Sequence, residues 1–104
     1  MRIIKKLTEL IDEELNDAEK YARLALSHQD DYPDVALMFH TLSGEELRHM
    51  NMLHDAVTRL IAKHKDDTDP RTEGMRIAHN ILHEQAIEKE KGVRILLDMY
   101  HSNV

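Results

Sequence analysis

The chain of 104 residues has no cysteine and no tryptophan, and it has only 3 glycines, 2 prolines and 1 phenylalanine. The lack of cysteine excludes disulfides, thiolate zinc sites, cysteine-ligated iron–sulfur clusters and a rubredoxin-type iron site within this sequence. No apolar run approaches the roughly 20 residues that a membrane span needs, so no membrane association is expected. The amino-terminal apolar segment is too short for a signal peptide, and a cytoplasmic location is therefore expected.

The composition favours helices and metal ligands over strands and nucleic-acid contacts. The 14 basic residues are dispersed among 20 acidic ones, so no phosphate-binding stripe forms and nucleic acid is not an expected partner. The 8 histidines and the many carboxylates are ligands that suit iron, manganese or zinc. Because residues with strong helix propensity dominate, the sequence predicts a single all-α domain over residues 1–104.

Hydrophobic periodicity predicts three long helices joined by two short breaks. The first spans about residues 3–28, where apolar residues recur at three- and four-residue steps. The residue before Pro33 is pushed out of the helical region, while Pro33 suits a first turn, so a second helix is predicted from there to about residue 65. Asp69 before Pro70 predicts an N-terminal cap, and the third helix is predicted over about residues 70–101. The expected buried side of the second helix consists of Leu37, Leu42, Met50, Leu53, Val57, Leu60 and Ile61.

Three ionisable side chains interrupt the apolar stripes of the first two helices. Glu14 falls in the middle of the first stripe, and Glu46 and His49 fall within the second. Burying an unpaired carboxylate is costly, so these groups are expected to be paired, protonated or bound to a metal. Residues three apart on a helix have adjacent side chains, so Glu46 and His49 can share a metal that Glu14 reaches from an antiparallel neighbour.

Each of these residues also has a structural interpretation. Glu14 could pair with an arginine or lysine of the core, and His49 could be an ordinary hydrogen-bonded histidine. Glu45 could replace Glu46, since it lies four residues before His49. Tyr21 is as consistent with a core aromatic residue as with a catalytic role in redox chemistry beside the metal.

The first sixty residues resemble the ferritin-like superfamily, including rubrerythrins and encapsulated ferritins. The resemblance is carried by Glu14, by Tyr21 seven positions later, and by the Glu-x-x-His motif of Glu46 and His49. It implies an antiparallel helical hairpin and a di-iron centre, with Glu14 and His49 as terminal ligands and Glu46 as the bridging carboxylate. Manganese and zinc suit the same ligands.

The second half of the chain departs from the four-helix pattern of ferritins and rubrerythrins. A single third helix follows the hairpin, and no second Glu-x-x-His motif occurs downstream. One chain therefore supplies half of the ligand set of a di-metal bundle. Encapsulated ferritins complete such a site by dimerisation, so the resemblance implies a homodimer or larger homo-oligomer whose two-fold axis completes the four-helix bundle.

The resemblance implies oxidation of Fe(II) by O2 or peroxide, a ferroxidase-type activity that serves iron storage or detoxification. Without a rubredoxin module, peroxidase turnover would need an external electron donor. The rival hypothesis is a non-enzymatic helical assembly or adaptor module, in which any metal is structural and the third helix provides an oligomer surface.

Acidic and histidine pairs on the third helix are a weaker source of candidates. Glu88 is included as a metal ligand because Glu88, Gly92 and Ile95 repeat the spacing of Glu14, Ala18 and Tyr21. Three further pairs have metal-binding spacing but are expected on solvated faces or at interchain contacts: His79 with His83, Glu84 with Glu88, and Asp98 with His101.

Overall fold

A computed structural model describes residues 2–64 and 70–101 of the chain. It contains three helices: α1 (Arg2–His28), α2 (Pro33–Lys63) and α3 (Pro70–Met99). The predicted all-α fold is therefore confirmed, and each described helix end lies within about two residues of its predicted position. The expected cap at Asp69 lies outside the described residues. Among the described helices, none has the length and apolar character needed to cross a membrane.

The break between α1 and α2 forms as the proline predicts. Tyr32 has φ −136° and ψ 69°, outside the helical region, and Pro33 begins the next helix. The Tyr32 backbone N–H donates to the His28 carbonyl at 2.9 Å, and the Ala36 N–H donates to the Tyr32 carbonyl at 2.8 Å. These two hydrogen bonds join the end of α1 to the first turn of α2 through Tyr32.

The helices α1 and α2 pack as an antiparallel hairpin around a stripe of small and branched residues. Leu15 on α1 and Val57 on α2 are completely buried, and alanines of α1 allow the two backbones to approach closely. The helix α3 packs mainly on α1 and has few contacts with α2. The core consists of Ile4, Ile11, Leu15, Ala18, Ala22, Leu47, Met50, Val57 and Val93.

Two expectations about burial are wrong. Leu37, expected on the buried side of α2, is 37% exposed, whereas the neighbouring Ala36 is completely buried. His79, expected on a solvated face or at an interchain contact, is buried inside the chain with 9% exposure. Both errors arise where the sequence pattern leaves open which part of a helix a neighbour covers.

Candidate metal centre

Glu14, Glu46 and His49 converge on one side of the hairpin. The Glu14 carboxylate projects from α1 toward α2, where its Oε2 lies 3.6 Å from His49 Nδ1. His49 Nδ1 is also 3.8 Å from Oε2 of Glu46, one helical turn earlier. One ligand atom from each residue lies within 4.8 Å of the others, and within residues 2–64 and 70–101 no other trio of potential ligands does so.

The cluster lies at the rim of the hairpin interface and not deep in the core. The side chains of Glu14 and Glu46 are 24% and 19% exposed, whereas that of His49 is 45% exposed. The Oε2 atom of Glu14 is buried and has no hydrogen-bond partner. The site is thus closed on the carboxylate side and open to solvent beside the imidazole.

The register of the hairpin brings the cluster together, and a serine fixes that register. Ser43 is completely buried on α2 and donates its hydroxyl to the Ala18 carbonyl of α1 at 2.7 Å. Ala18 lies one turn beyond Glu14, and Ser43 lies one turn before Glu46 and Leu47. Ser43 was not among the residues predicted for the site, and its one signal in the sequence is a small polar residue within the apolar stripe of α2.

The neighbours of the acidic groups decide between Glu45 and Glu46 and show which side chains pair with them. Within the described residues, no lysine or arginine forms an ion pair with Glu14 or Glu46, and the basic side chain within ion-pair distance of both carboxylates is His49. Glu45 is exposed and accepts a hydrogen bond from Arg48 at 2.7 Å, which lowers the pKa of its carboxyl. The structure therefore brings Glu46, and not Glu45, to His49.

The donor set fits a hard or borderline divalent cation. Two carboxylates and one imidazole are ligands that iron, manganese and zinc accept. The unpartnered Glu14 oxygen is the observation that most directly calls for a cation, since a buried carboxylate oxygen is normally paired. A group of three such ligands, able to hold a metal, is thus present within one chain.

Two further residues named from the sequence lie outside this cluster. Tyr21 is half-buried two turns along α1 from Glu14, and its ring stacks on Phe39 at a centroid distance of 6.1 Å. Glu88 on α3 is 75% exposed and pairs with Lys91 at 3.2 Å. The catalytic role of Tyr21 and the ligand role of Glu88 both stay predictions.

No match to this chain is found among protein-family models, curated proteins or solved structures. The case for a metal site therefore rests on the geometry of Glu14, Glu46 and His49.

Proposed function

We propose that two copies of this chain join their Glu14, Glu46 and His49 side chains into one ferritin-like di-iron site that oxidises Fe(II) with O2 or peroxide. The observation that supports this most is the convergence of two carboxylates and one imidazole around an unpartnered buried oxygen. The ligands of a di-metal bundle number two such sets, so pairing of identical chains supplies what one chain lacks.

The exposure of the cluster also supports pairing. A ligand as open as His49, which is 45% exposed, leaves room for a second chain to approach the site. Four carboxylates brought together without a cation would repel each other, whereas bound cations neutralise them. Metal binding and chain association are therefore expected to be coupled.

Each side chain has a distinct part in this mechanism. Glu14, Glu46 and His49 of each chain would hold the iron, with Glu46 in the bridging role and Glu14 and His49 in the terminal roles that the resemblance implies. Iron would supply the electrons: two Fe(II) reduce one H2O2 with two protons to two waters, or one O2 with two protons to H2O2. The carboxylate charge favours the ferric over the ferrous state, because it stabilises the more positive ion more strongly.

Repeated turnover would require a reductant from elsewhere. The chain has no cysteine for an attached rubredoxin-type iron site. A peroxidase cycle therefore needs an external electron donor, whereas net iron oxidation for storage or detoxification needs none. If the metal held by these ligands proves to be manganese or zinc and not iron, the ferroxidase proposal loses its support.

Iron oxidation by purified protein tests the proposal. Glu46→Ala is expected to abolish Fe(II) oxidation above the buffer rate and to lower the iron content, while helical circular dichroism stays near that of wild type. Glu45→Ala is the matched control, because it removes the adjacent exposed carboxylate and should keep both activity and iron. If the Glu46→Ala protein oxidises Fe(II) at the wild-type rate, the chemistry lies elsewhere in the molecule.

The rival function, a helical assembly module, is favoured by one observation. Large apolar side chains on α3 are exposed, among them Ile77, Ile81 and Ile95 at 54%, 55% and 61%. Apolar surface of this kind suits contact with another protein. If purified protein binds only traces of iron per chain and does not oxidise Fe(II), this interpretation replaces the ferroxidase proposal.

A further inference from the structure

Three histidines from two helices meet at a separate cleft of about 300 Å³. His54 projects from α2, while His79 and His83 lie one turn apart on α3. Asn51 of α2 and Glu90 of α3 also line this cleft. None of these residues belongs to the Glu14, Glu46 and His49 cluster.

The imidazole rings form a continuous stack. The His54 and His83 rings are nearly parallel, with centroids 4.5 Å apart, and the His83 and His79 centroids are 5.8 Å apart. His54 Nε2 and His83 Nδ1 share a hydrogen bond at 3.0 Å, the contact that a common metal ion would replace. Two nitrogens bound to one tetrahedral zinc ion, each at about 2.0 to 2.1 Å from it, lie about 3.3 Å apart, so this pair is close to the spacing of ligands on a common ion.

His79 is the buried member and lacks a partner. It is 9% exposed, and its Nδ1 is buried with no hydrogen bond. An unsatisfied buried polar atom is unfavourable, and a metal bond satisfies it as well as a hydrogen bond does. The His79 ring must rotate to bring its Nδ1 atom to the pair formed by His54 and His83. That rotation would give the unsatisfied Nδ1 atom a bonding partner.

The surroundings of His79 favour its neutral ring, the form in which histidine binds metals. Burial, followed by the charges of His83 and His54, lowers the pKa of His79. The acidic residue of the cleft, Glu90, pairs with Arg94 at 3.3 Å. Lys5, Glu9, Asp12 and Lys89 line the adjoining groove, where Lys89 pairs with Asp12 at 3.3 Å.

We propose that His54, His79 and His83 form a second metal site, which binds a divalent transition metal, Zn²⁺ foremost, through three imidazole nitrogens. Three protein nitrogens leave a fourth position for a water molecule, which the open cleft can hold. The metal would link α3 to α2, two helices that otherwise have few contacts. The site goes beyond the proposed iron chemistry and does not depend on it.

Zinc binding by the full chain tests this site when the first cluster has been disabled. In a Glu46→Ala background, isothermal titration with Zn²⁺ should show one high-affinity site per chain at neutral pH. Adding His83→Gln or His54→Gln should weaken the zinc affinity by about tenfold to a hundredfold or more. Losing only the hydrogen-bond partner of a metal ligand already has an effect of about that size, and these variants remove a ligand itself. Binding should also weaken at acidic pH, because protons compete with the metal for the imidazole nitrogens.

His101→Gln is the control, since His101 is exposed and lies beyond the end of α3. It should leave zinc affinity unchanged.

His79→Gln should weaken zinc binding as much as His83→Gln does. Because His79 is buried, the His54 and His83 variants decide the outcome if the His79→Gln protein does not fold. The visible spectrum of bound Co²⁺ should show nitrogen coordination that His83→Gln removes. Two results would overturn the proposal. One is that the Glu46→Ala protein does not bind zinc. The other is that adding His54→Gln or His83→Gln to it leaves the zinc affinity unchanged. Loss of iron oxidation with retained zinc binding would count only against the first site.

Discussion

The α1–α2 hairpin and the helix α3 are held in the fold by different interactions. The hairpin buries apolar side chains along its length, including Leu15 and Val57 with no exposed surface. On α3, among side chains that the structure describes, Val93 is the one buried apolar residue. Ala86, Leu96 and Leu97 of α3 are only partly buried against the core, and an exposed ion pair joins Lys89 to Asp12 of α1 at 3.3 Å. Because burial of apolar surface dominates stability, α3 should detach more readily than the hairpin opens.

The largest expected effect is on the hairpin core. Leu15→Ala should lower the free energy of unfolding by about 2 to 5 kcal/mol, because it removes a fully buried side chain and leaves a cavity. Urea denaturation followed by circular dichroism measures the loss. Leu37→Ala is the control, since that leucine is 37% exposed and should cost less than about 1 kcal/mol. Equal costs for the two variants would contradict the central role of the hairpin core.

Acidification should loosen α3 before it affects the hairpin. The pKa of His79 is lowered in the folded protein, so the unfolded or detached state binds a proton more readily. Stability from neutral His79 is therefore complete above the ordinary histidine pKa of about 6.5 and is lost as pH falls through the lower folded value. Amide NMR signals of α3 should shift or broaden in that range while those of α1 stay in place. His79→Gln should remove this pH dependence; if it persists there, another group is responsible.

A smaller effect is expected at the contact that fixes the register of the hairpin. Ser43→Ala removes a buried hydrogen bond to the Ala18 carbonyl and should cost about 1 kcal/mol in the free energy of unfolding. Thr41→Ala is the comparison, because its hydroxyl bonds to the Leu37 carbonyl of its own exposed turn. Chemical denaturation should show a loss for Ser43→Ala and none for Thr41→Ala. Similar midpoints for the two variants would remove the special role of Ser43.

The smallest expected effect is that of replacing a helical glycine with alanine, which can be compared between α2 and α3. Gly44 in α2 and Gly92 in α3 lie inside helices, and a Cβ atom at either would meet nothing within 4 Å. Alanine at Gly44 should raise the free energy of unfolding by about 0.5 to 1 kcal/mol in metal-free protein. Gly92→Ala should raise the global value less, because α3 can separate before the hairpin unfolds. A larger global gain from Gly92→Ala would indicate that α3 unfolds together with the hairpin.

The sequence predicted the parts of this molecule that local rules determine. Pro33 and Pro70 mark the helix starts, and the three-residue step from Glu46 to His49 places those side chains together whatever surrounds them. The meeting of Glu14 with this pair followed from assuming an antiparallel hairpin. The burial of His79 and the contact of Ser43 could not be predicted, because both depend on how one helix lies against another.

The most direct test of the central claim, a half-site completed by a second chain, is the mass of the protein with and without iron. Sedimentation under anaerobic conditions should compare wild type and His49→Ala, each with and without Fe(II). Wild type with Fe(II) should have at least twice the mass of one chain and should associate more tightly than the other three samples. If all four samples have the same mass, iron does not bridge chains, and the half-site must be replaced by a site built within one chain.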